Sequence, residues 1–158
     1  MKFKILFAIS VFIFFSCQEK PKENFEQEKS ELLEFIKDYS TFLNKNSIEG
    51  LENYWNDIDE VSYIPLERDT AIIGFDNIKK YFEEQSAELT QLEFSSWNPS
   101  LWINPTKSEA VIIFLSSKNI LFKNGYKLSL SPIRNSMTLT KFEGKWKIIS
   151  HHESVRQK

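Results

Sequence analysis

The 158 residues suffice for one domain with a real core, and a content of 41% hydrophobic and 15% aromatic residues excludes a disordered chain. The formal charge of −2 offers no basic face to displace phosphate counterions, which argues against a nucleic-acid partner. A single cysteine excludes a disulfide framework and a cysteine-rich zinc site.

At the N-terminus, Lys2 and Lys4 precede an apolar run from Ile5 to Phe15. The run is shorter than the roughly 20 residues of a spanning helix and has the form of a secretory signal. Small Ser16 then precedes Cys17, the only cysteine. This arrangement resembles a bacterial lipoprotein signal, in which the cysteine becomes the acylated first residue of the mature chain. Phe14 and Phe15 depart from the Leu and the small residue usual there, and a plain signal peptide with a free thiol is the competing reading. The expectation is a signal peptide over residues 1–16 and a lipidated cysteine with its polar tether over 17–24. The remainder would be extracytoplasmic, in a bacterial cell envelope, held on a membrane through an acyl chain such as palmitate at Cys17.

Leu32, Phe35, Ile36, Tyr39, Phe42 and Leu43 recur at helical spacing and predict one amphipathic helix over Phe25–Asn46. Ser47 is placed to cap a short second helix to Trp55. Val61–Leu66 reads as a strand that Pro65 confines to an edge or an end. Gly74 opens another helix, with Phe75, Ile78, Phe82 and Leu89 on its apolar face. From Leu92 the pattern turns to strands: 92–97, 110–116, 126–134, 136–142 and 145–154. Asn98-Pro99, Asn104-Pro105, Asn124-Gly125 and Glu143-Gly144 punctuate them as turns. Helices followed by sequential strands predict an α+β domain with an antiparallel sheet.

GFDNIKKYF, a glycine opening a helix after a short strand, and GKWKIISHHES on the last strand are joined here by a long N-terminal helix. In that order they resemble the nuclear transport factor 2-like superfamily, and its SnoaL-like branch in particular, over residues 25–154, with 155–158 as a tail. The resemblance implies a curved sheet wrapped on helices as a cone with an internal pocket. Members include isomerases, dehydratases and cyclases, and also domains without catalysis, so the fold is implied more firmly than the function.

Four glycines form neither a P-loop nor a dinucleotide fingerprint, and no nucleophile elbow occurs. No cofactor is expected. His151 and His152 are adjacent on a strand and point to opposite faces, so no metal site is expected either. Period two groups Trp146, Ile148, Ser150 and His152, and the apolar pair marks that face as inward. The resemblance makes the final strand a pocket wall, which selects His152 as ligand contact and candidate acid–base; a hydrogen-bonded core histidine is the plainer reading. A two-residue turn at Glu143-Gly144 would set Asn135 opposite His152, and a three-residue loop would set Arg134 there.

Trp55 and Tyr63 are the aromatic candidates for ligand contact, with Trp55 equally suited to closing the core. Asp57, Asp59 and Glu60 read as solvated loop more readily than as a catalytic base. The expected partners are a small apolar ligand, the membrane and, through the outer sheet face, a second copy. The functional expectation is a binding or interaction module, with a cofactor-independent isomerase or dehydratase using His152 as the alternative.

Overall fold

The computed structural model describes residues 22–156, so the signal, Cys17 and most of the tether lie outside the described residues. Helix α1 spans Lys22–Asn44. It buries Leu32, Ile36, Tyr39, Phe42 and Leu43 along one stripe, as its periodicity predicts. Asn46 ends it in a left-handed conformation, its N–H bonding to the Leu43 carbonyl at 3.1 Å. The Asn44 side chain donates to the Phe94 carbonyl at 3.0 Å and accepts from the Phe94 N–H at 2.5 Å, clamping the helix end onto the sheet.

The expected second helix shrinks to a single 3₁₀ turn at Leu51–Asn53, with Leu51 as its buried anchor. Ser47 accepts from the Glu49 N–H at 3.1 Å, closing a local turn that starts no longer helix. Strand β1 (Ser62–Ile64) stops at Pro65 and pairs with β2 (Ile72–Ile73). Gly74, at φ 87°, makes the bend into helix α2, Phe75–Glu88. Phe75, Ile78 and Tyr81 are buried there, whereas Phe82, expected in the core, is only partly buried.

Four long strands follow: β3 (Leu89–Ile103), β4 (Glu109–Phe122), β5 (Lys127–Phe142) and β6 (Lys145–Val155). With β1 and β2 they form one six-stranded sheet in the order β2-β1-β6-β5-β4-β3, antiparallel except where β1 joins β6. The α+β fold is as expected. One expected interruption is a bulge instead of a strand break. Asn98-Pro99 adds a residue to β3 between Trp97 and Ser100. A residue is also added at Ser131-Pro132, inside the expected strand 126–134, and β5 runs unbroken through Asn135, where two strands were expected to part. Bulges bend a strand while its ladder continues, and so the sheet curls around α1 and α2.

Candidate functional site

The site arises from a third bulge, in β6. Thr138 pairs with Ser150 but Leu139 pairs with Ile148, so Ile149 is extra. At this point β6 changes neighbour. Ile148 exchanges backbone hydrogen bonds with Tyr54 and Asn56, at 2.7 and 3.0 Å, and from Ser150 onward the strand pairs with β1. The extra residue inverts the alternation, because the side-chain period in a strand is two. Trp146 and Ile148 face the core, as expected; beyond Ile149 it is His151 and Glu153 that face inward, 1% and 3% exposed.

His152 is therefore corrected. It stands exposed on the outer face, opposite Ser136 and Ile64. Asn135 lies inside as expected, but its partner is Glu153 and not His152. Arg134 pairs with Ser154, is exposed, and donates to the Val155 carbonyl at 3.3 Å, so it does not reach the interior. Trp55 is fully buried in the core and is not among the residues that line the cavity of this site. Asp57, Asp59 and Glu60 are exposed loop residues. Tyr63 is an interior residue, stacked between His151 at 5.1 Å and Phe82 at 5.8 Å.

His151 belongs to a buried polar chain. Asn135 Nδ2 donates to Ser116 Oγ at 2.9 Å and to the Ile133 carbonyl at 3.2 Å, which leaves its Oδ1 as acceptor. His151 Nε2, 3.1 Å away, must then be the protonated nitrogen. Nδ1 is buried with no partner among the described residues. Burial holds the imidazole pKa at about 4 against an opposing pull from Glu153; Lys118 and His152 add to the lowering. His151 is thus neutral at pH 7.

Lys118 Nζ meets Glu153 Oε2 at 2.5 Å. The two residues are two strands apart, so the lysine stem lies across β5 on the inner face. Burial pushes the Glu153 carboxyl up, but the Lys118 ammonium beside it holds it below its ordinary value. The pair lines a cavity of about 470 Å³ between α1, α2 and the strands β4 to β6. Towards its mouth, Ile120 and Phe122 continue β4, Leu130 and Leu128 continue β5, and Val155 ends β6. The walls are thus apolar and the ion pair is the deepest lining group on its strands. Phe42, Leu43 and Phe82 close the helical side, together with polar Asn46, Ser47, Gln85 and Ser86. Tyr81 also lines the cavity; it donates to Glu67 and lies under the Arg68 guanidinium, 5.2 Å from its ring centre. Burial and the Glu67 carboxylate push the Tyr81 hydroxyl far above its ordinary value, so it stays protonated.

Residues 32–157 match one family, the SnoaL-like domain. The chain belongs to that family. No curated protein matches the sequence. Solved structures share the fold at low identity. A nuclear transport factor 2-like superfamily protein from Salmonella enterica superposes with TM-score 0.75 at 19% identity, over 85% of this chain and 94% of the other. A provisionally named scytalone dehydratase from Novosphingobium aromaticivorans gives 0.74 at 16%, over 85% and 88%. A provisionally named dehydratase from Streptomyces avermitilis gives 0.73 at 11%, over 84% and 99%. In this SnoaL-like domain no cluster of three or more metal-ligating side chains occurs among the described residues.

The residues missed in the sequence are Lys118, Glu153, Tyr81 and Glu67. Lys118 had a signal. Ala110, Ile112, Phe114 and Ser116 set an inward phase that, carried on by period two, includes Lys118, Ile120 and Phe122. For Glu153 the trace is the Ile148-Ile149 doublet, where two apolar neighbours interrupt the alternation.

Proposed function

We propose that this SnoaL-like domain binds a small apolar molecule in its cone, at the surface of a bacterial envelope membrane to which Cys17 tethers it. The observation that carries the reading is the cavity itself: its volume falls within the roughly 300–1,000 Å³ of small-molecule sites, and its walls are mainly apolar with polar side chains among them. Leu130→Trp, which places an indole in that space, is expected to abolish uptake of an apolar fluorescent probe while leaving the unfolding midpoint within a few degrees of the parent. Undiminished uptake would remove the cavity as the binding site.

A dehydratase or isomerase reading, in keeping with the names of two neighbours, requires a cavity group that exchanges protons near neutrality. His152 faces outward, His151 is neutral and turned into the Asn135 chain, and Glu153 is held ionised. Binding therefore accounts for the site better than acid–base catalysis does.

The tether supports the membrane placement, because only Gln18–Pro21 separate Cys17 from the start of α1. Cys17→Ser is expected to abolish incorporation of a fatty-acid label and to move the protein from the membrane to the soluble fraction; persistent labelling would exclude acylation at Cys17. The outer sheet face is a further part of the proposal. Trp102 and Ile113 are 56% and 55% exposed, on rows shared with Val111, Thr138 and Ser136, a surface poor in charge suited to a second copy. Sedimentation equilibrium is expected to show a dimer that Ile113→Glu dissociates, and a monomeric parent would remove this part.

A further inference from the structure

Within the proposed ligand site, Lys118 and Glu153 are the innermost cavity groups on their strands. Their charges cancel at 2.5 Å, and the pair is close to dry, with side chains 15% and 1% exposed. A Lys ammonium has three donors, and this one makes a single side-chain hydrogen bond among the described residues. A carboxylate has acceptor sites to spare beyond that bond. The end of the cavity therefore offers a donor and an acceptor side by side, with no net charge. A ligand carboxylate arriving there would meet Glu153, and a ligand ammonium would meet Lys118. In either case one of three charges would be left uncompensated in a low-dielectric site. A hydroxyl can donate to Glu153 and accept from Lys118 without adding a charge to the pair.

The geometry points to a neutral, hydroxyl-headed amphiphile as the ligand class, its apolar chain lying along Ile120, Leu128 and Phe122 and its head against the Lys118–Glu153 pair. This inference rests on the cavity being the binding site. It also assigns a specificity role to Glu153, which cancels the lysine charge towards the ligand.

The test uses displacement of N-phenyl-1-naphthylamine from the soluble domain at pH 8 by chains of equal length: 1-decanol, decanoate and decyl methyl ether. In the parent protein 1-decanol is expected to displace the probe at lower concentration than either of the others. The ether is the more apolar molecule and would lead in a merely greasy pocket, so its lead would overturn the inference without any variant. In Glu153→Gln, which leaves Lys118 as an unpaired cation, decanoate is expected to improve by roughly tenfold or more and to overtake 1-decanol. A Glu153→Gln protein that still ranks decanoate as the parent does would also overturn it. If the parent takes up no probe, or no chain displaces it, the binding site itself is wrong and the head-group assignment falls with it.

Discussion

Lys118→Met is expected to destabilise the domain by about 3–5 kcal/mol at pH 7, the cost of leaving a buried carboxylate without its partner. The reason lies in Glu153, which is 3% exposed and whose ionised form depends chiefly on this lysine. Without the cation, burial dominates and the carboxyl pKa rises, so the variant should recover the Glu153 contribution as the pH falls towards the ordinary carboxylate range, whereas the parent keeps that contribution until the pH falls below it. The double variant Lys118→Met, Glu153→Leu removes both charges and is expected to regain most of the loss, because an apolar pair of similar volume commonly matches a buried ion pair. Urea unfolding of the three proteins measures all of this. A loss below about 1 kcal/mol for Lys118→Met would mean that water in the cavity already solvates the carboxylate, and the dry-pair description would fail.

The fold was legible where the pattern is long and regular. Leu32, Ile36, Tyr39 and Phe42 define α1 by periodicity alone, and Ile133, Met137 and Leu139 fall on the inner face of β5 as their alternation requires. Misreadings cluster where a strand gains a residue. Asn98-Pro99 carries turn chemistry, yet the tertiary ladder on either side continues through it, and local propensity yields to it. The consequence was greatest at Ile149. Counting by two from Trp146 gives an inward His152, and one extra residue exchanges it for His151 and Glu153. The Ile148-Ile149 doublet is the faint local trace of that change, whose cause is the handover of β6 from the Tyr54–Asn56 segment to β1, both remote from β6 in sequence. Lys118 was hidden for a different reason: a lysine on an apolar face reads as a strand end until its buried partner is known.

The same bulge makes the stability of the domain depend on mildly acidic pH. His151 is neutral in the fold down to about pH 4, whereas an unfolded chain protonates it near 6.5. Between these values the unfolded state binds the extra proton, so stability rises with pH across that window. His151 thus contributes its full stabilisation above pH 6.5 and loses it progressively as the pH falls towards 4, a loss of roughly 3 kcal/mol. Protonation is resisted because burial removes hydration and Nδ1 has no acceptor near it among the described residues to take a second N–H. Glu153 acts in a lower window. Its folded pKa is depressed, so its stabilisation is present above the ordinary carboxylate value of 4.5 and is lost as the pH falls through the folded one. His151→Gln keeps an N–H donor for Asn135 Oδ1 but cannot titrate, and it is expected to flatten the stability profile between pH 6.5 and 4.5 while leaving the acid limb in place. Urea midpoints across that range that fall equally in the parent and in His151→Gln would show that the imidazole takes up its proton within the folded domain, and the buried Nε2-protonated assignment would have to be abandoned.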